Sequence, residues 1–235
     1  MEALILAGGK AERLGDAAGG QPKPLVLVAG RPIVEYQIRR LVAAGVDRVV
    51  IACRAGQEER FEQALDGVGA EVVPVGEPEP LGRGGGLRYA ATRRVDSGAV
   101  FALNGDELLD VDLEALLDRH TASGAAATVV VAQVRSPFGV VDLGEGDAIT
   151  GFREAPKLED WVNSGVYVLG EEALARLPER GDHETSTFPE LAGEGKLAAY
   201  RHTGVWLTVN TPKDLRRAEE FVEAHPDWRP EPTLS

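Results

Sequence analysis

The 235-residue sequence has a single cysteine, Cys53, a single methionine and four histidines. One thiol excludes an internal disulfide and a cysteine metal cage, and leaves secretion into an oxidising compartment without support. Basic residues are scarce as well. Lys and Arg number 25 against 38 Asp and Glu, a formal charge of −13, which argues against a surface built for nucleic acid. No apolar run approaches the roughly 18 residues that a membrane helix needs. Met1-Glu2 leads straight into Ala3-Leu4-Ile5-Leu6-Ala7 with no basic leader, so a cytoplasmic protein without a membrane partner is expected. What is there, 43% hydrophobic and 27% charged, is the composition of a globular protein long enough for one large domain or one and a half smaller ones.

Short apolar runs alternate with longer stretches of helical periodicity, the pattern of a mostly parallel sheet covered by helices on both faces. In the first half, strands are expected at 2–7, 47–53, 70–75 and 99–103, with helices at 32–45, 57–66 and 84–95 between them. Pro32 suits a first helical turn and Gly45 a helix end. In the second half, strands at 125–134, 138–142, 148–152 and 163–169 crowd together with few helices, which predicts some antiparallel pairing. Further helices are expected at 112–122, 171–177, 187–193 and 212–224, and the last ten residues, with three prolines, read as a loose tail.

In an open α/β sheet, ligands bind beyond the carboxyl ends of the strands. Three unusual loops fall there: Leu6-Ala7-Gly8-Gly9-Lys10 through Arg13 to Pro22-Lys23-Pro24; Gly76-Glu77-Pro78-Glu79-Pro80-Leu81-Gly82 with Gly84-Gly85-Gly86; and Asn104-Gly105-Asp106. In the first of these loops, glycines let backbone N–H groups approach phosphates, and Arg13 and Lys23 add positive charge to an acidic chain. The spacing is neither that of a Walker loop nor that of a dinucleotide fingerprint. For Gly8-Gly9 alone, a plain glycine turn is the simpler account. Asp106, at the tip of a strand, suits a hard cation that itself binds phosphate, or else merely caps a turn. Convergence of all three loops on one edge favours a magnesium-dependent phosphoryl or nucleotidyl site.

Taken together, these residues resemble the sugar-1-phosphate nucleotidyltransferases over essentially the whole chain. Leu6-Ala7-Gly8-Gly9 through Arg13-Leu14 and Pro22-Lys23-Pro24 is similar to that family's signature loop. Glu77 to Gly82 is similar to its base-recognition segment, and Leu103-Asn104-Gly105-Asp106 to its metal strand. Phe138-Gly139-Val140-Val141, Phe152-Arg153-Glu154-Ala155-Pro156 and Asn163-Ser164-Gly165-Val166-Tyr167 resemble the sugar-binding half, and Trp206 to Pro212 the closing segment. The resemblance implies a three-layer α/β/α nucleotide-diphospho-sugar transferase fold in one domain, residues 1–225. Residues 1–110 would be its nucleotide-binding half and 111–225 its sugar-phosphate half, with 226–235 as the tail. It implies that a sugar-1-phosphate oxygen attacks the α-phosphorus of a nucleoside triphosphate, with Mg2+ as cofactor and no covalent intermediate. Arg13 would then hold the triphosphate, Lys23 the transferring phosphate and Asp106 the magnesium. Leu6, Ala7, Gly8, Gly9, Lys10, Glu77, Pro80, Leu81, Gly82, Asn104 and Gly105 would complete the nucleotide site. Gly139, Glu154, Lys157, Asn163, Gly165 and Trp206 would hold the sugar. A homodimer would be compatible with this family.

If Glu77 meets the base edge, its carboxylate accepts from the N–H donors of guanine, uracil or thymine; otherwise it is a solvated loop residue. The short guanylyltransferases for heptose or mannose 1-phosphate look most similar, with uridylylation of an N-acetylated sugar 1-phosphate as the alternative. Three positions depart from the family pattern. Thr208 stands where many members carry a second metal aspartate, so that Asp106 suffices with phosphate oxygens and water, or Thr208 itself, Asn210 or another carboxylate assists it, or the chain is a homologue that binds without turnover. Ala155 replaces a lysine that Lys157 could substitute, and Ala11-Glu12 alters the first loop. Asp110 and Asp112 match the D-x-D of nucleotide-sugar-dependent glycosyltransferases, although Asp112 reads more simply as a helix cap. Asp182-His183-Glu184 reads as a solvated loop, Trp161 as a core residue, and His120, His202 and His225 belong to no constellation.

Overall fold

The strands of the computed structural model follow from where the β-branched runs sit. The structure describes residues 1–9 and 11–228, so Lys10 and the tail from 229 onward lie outside the described residues. Besides a short antiparallel ladder between Leu27–Val28 and Arg31–Pro32, the strands in chain order are β1 (Glu2–Leu6), β2 (Arg48–Arg54), β3 (Glu71–Glu77), β4 (Val100–Asn104), β5 (Glu107–Leu109), β6 (Ala127–Arg135), β7 (Val140–Leu143), β8 (Ile149–Arg153), β9 (Lys157–Leu169), β10 (Leu197–His202) and β11 (Trp206–Thr208). The helices are α1 (Ile33–Ala43), α2 (Glu58–Ala64), α3 (Gly82–Ala91), α4 (Leu113–Ser123), α5 (Glu171–Ala175), α6 (Thr187–Gly193) and α7 (Pro212–Ala224).

Seven strands form the central sheet in the order β10-β6-β9-β4-β1-β2-β3. β1 pairs in parallel with both β2 and β4, β2 with β3, and β10 with β6, while β9 runs antiparallel to both β4 and β6. The chain leaves β1 through β2 and β3, then returns to the other side of β1 as β4. That reversal opens a crevice at the carboxyl ends of β1 and β4.

Alternation along the strands divides the core. Ile5, Val49, Ile51, Phe101 and Leu103 face α1, α2 and α4, where Ile38, Leu41, Phe61 and Leu116 meet them. Leu4, Val50, Ala52, Ala102, Tyr167 and Leu169 face α3, α5 and α6 through Leu87, Ala90, Leu174 and Leu191. A third cluster joins Leu14, Val26, Tyr36 and Leu108 to Val209 and to Leu215 and Val222 of α7, so the last helix clasps the long loop after β1. Asp112 accepts a hydrogen bond from Ala115 N at 2.9 Å, capping α4, and Thr211 with Asp214 forms a capping box for α7.

The expected three-layer architecture is the observed one, with corrections. β9 begins six residues before its expected start, because pairing with β6 extends to Lys157. α3 runs from Gly82 to Ala91, earlier at both ends than expected. β5, β10 and β11 were not anticipated. Within the expected loose tail, Pro226–Trp228 forms a single 3-10 turn, and Trp228 is buried with its ring 6.0 Å from that of Tyr36 and 4.7 Å from the Arg40 guanidinium.

Candidate nucleotide-transfer site

A cavity of about 690 Å³ opens at the crevice. Its walls include Leu6, Gly8, Gly9, Arg13, Lys23, Glu77, Pro80, Gly82, Asn104, Asp106 and Asn210, so residues from all three loops meet there. Lys23 is buried, and its ammonium donates to Asp106 Oδ2 and, at 2.8 Å, to Asn210 Oδ1. Arg13 reaches the same Asn210 oxygen at 3.3 Å. Two cations, one carboxylate and one amide thus form a cluster whose free valences suit phosphate oxygens.

The backbone holds this cluster in place. Gly105 N donates to Leu6 O at 2.9 Å, tying β1 to the turn that carries Asp106. A Cβ at Gly105 would stand 2.7 Å from that oxygen, so only glycine allows this approach. From α1, the Gln37 amide donates at 2.7 Å to both Asn104 O and Glu107 O, bracketing Asp106. Ala7, Leu81 and Gly105 support the walls from behind instead of lining them; Ala7 N, for example, bonds Ala52 O at 2.7 Å.

At the other end of the cavity, Glu77 Oε2 accepts from Leu81 N at 3.1 Å, and a Cβ on Gly8 or Gly86 would come within 3.1 Å or 2.9 Å of Oε1. Burial raises its pKa, opposed by the Leu81 bond and Arg54. Arg54 is the register partner of Glu77 on the next strand. It spends Nε on Gly8 O at 3.0 Å and lines the cavity. Glu107 also lines it. It is 9% exposed and accepts from Trp206 Nε1 at 2.9 Å. Burial, reinforced by Asp106, lifts its pKa to about 8.

Gly84, Gly85 and Gly86 lie inside α3, within the helix expected over 84–95, and are buried. The solvated reading of Asp182-His183-Glu184 is corrected. Asp182 lines the cavity and accepts from Arg83 N at 2.9 Å, and Glu184 pairs with the Arg83 guanidinium at 2.6 Å. His183 is fully buried, its ring edge-on to Tyr167 and Phe188, and neither ring nitrogen has a hydrogen-bond partner among the described residues. Burial, with Arg83 adding to it, drives its pKa from 6.5 down to about 4. Because the folded value lies below the unfolded one, the neutral imidazole stabilises the fold above about pH 6.5, and that contribution is lost as pH falls towards 4. A loss of up to about 3 kcal/mol is expected. His183→Leu should flatten the acid limb of a melting-temperature profile, and an unchanged slope would refute this.

The expected sugar residues lie apart from the cavity walls. Asn163 donates at 2.8 Å to Tyr167 Oη and to Glu184 Oε1, and lines a second cavity of about 480 Å³. Glu154 sits beside Gly139 at the exposed β7–β8 hairpin, and Gly165 packs against the Asn104 amide. Lys157 is exposed at the start of β9, and Trp206 is half-buried. Thr208 pairs in register with Glu107 and is not among the cavity walls. Asp110 accepts from Val205 N at 2.7 Å and lies 3.0 Å from His202 Nε2, so both serve the fold, as does His120 through Thr128 at 3.0 Å. Trp161, expected in the core, is 37% exposed beneath the Arg201 guanidinium.

A family model described as "Nucleotidyl transferase" matches residues 2–225. The probable mannose-1-phosphate guanylyltransferase 2 of Arabidopsis thaliana is 35% identical over 228 residues, 91% of this chain and 63% of that protein. The mannose-1-phosphate guanylyltransferase of Mycobacterium tuberculosis (strain ATCC 25618 / H37Rv) is 32% identical over 228 residues, 92% of this chain and 63% of that one. The chain therefore spans about six-tenths of the length of these relatives. The crystal structure of HddC from Yersinia pseudotuberculosis shares the fold, with a TM-score of 0.73 at 23% identity over 94% of this chain and 98% of that one.

Proposed function

We propose, from the premise that the chain belongs to the nucleotidyl transferase family, that it moves a guanylyl group from GTP to a mannose or heptose 1-phosphate. The observation that carries this reading is the meeting of Arg13, Lys23, Asp106 and Asn210 in one cavity whose far end presents Glu77 and Arg54. A phosphate oxygen of the sugar 1-phosphate forms the new P–O bond at the α-phosphorus, and the bond to the β-phosphate bridging oxygen breaks, releasing pyrophosphate. Lys23 and Arg13 hold and neutralise the phosphates, so catalysis is positioning plus charge stabilisation.

Magnesium fits the residues present. It takes hard oxygens, commonly one or two protein carboxylates completed by phosphate and water. Asp106 offers such a carboxylate, and Asn104 Oδ1 is a buried oxygen without a partner among the described residues. When bound, the ion would supply additional charge neutralisation at the phosphates.

Guanine presents an acceptor, O6, beside two donors, N1–H and the N2 amine. Arg54 donates and Glu77 accepts, and they stand side by side on β2 and β3. Uracil sets its one donor between two acceptors, a poorer match for a carboxylate. Cytosine and adenine place a ring acceptor against it. The test is pyrophosphate release, with magnesium, across the four nucleoside triphosphates, each paired with mannose, heptose, glucose and N-acetylated sugar 1-phosphates. Release requiring GTP and a manno-configured sugar is expected, and Glu77→Gln should reduce preference for GTP over UTP by about tenfold or more. Release with UTP and an N-acetylated sugar alone would select the alternative. Thr208 favours one rival, a homologue that binds without turnover, and nucleotide binding with no release from any pair would select it.

A further inference from the structure

The carboxylate of Glu107 has no part in the reading above, yet the residue lines the same cavity, next in sequence to Asp106. Three contacts fix it. Gln37 grips its carbonyl oxygen, Trp206 donates to Oε2, and β5 pairs with β11 so that Thr208 lies directly opposite. Side chains opposite one another in an antiparallel pair share a face, with Cβ atoms about 5 Å apart, so the 208 side chain and the Glu107 carboxylate project from neighbouring strands to the same side. A buried carboxylate beside a second one is unfavourable unless a cation or sufficient donors compensate it. Trp206 serves one of its two oxygens. The neighbouring oxygens, Asp106 Oδ2 and Asn210 Oδ1, already gather a positive charge in the Lys23 ammonium.

Resting on the reading of this cavity as a nucleotidyl-transfer site, we propose that Glu107 is the second protein carboxylate toward the divalent cation, filling from β5 the place that a residue at 208 on β11 would otherwise fill. One acidic pair with phosphate and water completing the shell is a magnesium-type donor set.

The test measures Mn2+ binding to the full chain by the loss of the free-ion electron paramagnetic resonance signal, alone and with GTP, for wild type, E107Q and E107Q/T208D. Glutamine keeps an oxygen acceptor for Trp206, and melting temperatures confirm that each variant folds. E107Q is expected to weaken Mn2+ binding by about tenfold or more, and T208D in the double variant to restore most of it from the opposite strand. Mn2+ binding by E107Q within about twofold of wild type would overturn the assignment, as would a folded double variant no tighter than E107Q. Absence of pyrophosphate release from wild type would remove the transferase reading instead, and the Mn2+ titration still decides the role of Glu107.

Discussion

Lys23→Met is expected to slow pyrophosphate release by about 10²–10³-fold while leaving the protein folded. Methionine retains the stem that packs in the loop after β1 and removes the ammonium that bridges Asp106 and Asn210. A fixed, partly desolvated charge aimed at the reacting phosphate gains value as charge builds in the transition state, and deleting one such donor typically costs this much in turnover. The stability cost is smaller. The Asp106 side chain is 30% exposed, so water can replace the lost partner, and a loss on the order of 1 kcal/mol is expected. Steady-state turnover beside a thermal melt separates the two. Turnover at the wild-type rate would remove Lys23 from the mechanism; a collapse of the melt would make it a structural residue.

The second large effect is on stability. In an exposed helix, Gly→Ala stabilises by about 1 kcal/mol. Gly85→Ala should do the reverse, because a Cβ there would stand 2.6 Å from Glu179 O and 2.9 Å from Leu81 Cβ. Gly84 is similar, with Pro178 Cγ at 2.7 Å and His183 N at 2.8 Å. The 178–183 segment is docked directly on α3, whose Gly84 and Gly85 N–H groups both donate to Gly181 O. Overpacking of this kind costs about 1–3 kcal/mol, which for a chain of this size lowers the melting temperature by roughly 2–10 °C. Gly193→Ala provides the comparison: it too lies in a helix, α6, yet its Cβ would meet nothing within 4 Å. It should melt no lower than wild type. Equal melting temperatures for the Gly85 and Gly193 variants would refute the docking argument.

These glycines mark the boundary of what was legible in the sequence. The β-branched runs of β1, β2 and β4 and the apolar periodicity of α1 and α7 announced themselves, because burial on a sheet or against it imposes a period. β5 and β11 have three residues each, too few for a period, and β10, Leu-Ala-Ala-Tyr-Arg-His, is a sheet-edge strand without a β-branched residue. In the site, Arg13, Lys23, Asp106 and Glu77 were legible because they close loops at strand ends. Gln37 was not: it lies in mid-helix and finds its partners 67 and 70 residues away. Arg54, Arg83 and Glu107 were hidden for the same reason, since their roles come from which strands and loops become neighbours. Gly84 and Gly85, placed in a helix by the sequence, accommodate a segment that arrives nearly a hundred positions later, which no local pattern announces.

The place of β9 governs how this polypeptide can be divided. It is flanked by β4 from the first half and β6 from the second, antiparallel to both. A fragment ending after β4 would present the whole outer edge of that strand, Val100 to Asn104, as unpaired amides and carbonyls beside a bare apolar face, the template on which strands of other molecules assemble. The two halves of the chain are thus not separable modules. A complementation experiment with split halves would succeed only if the later fragment supplied β9 promptly, and the nascent chain on the ribosome faces the same dependence.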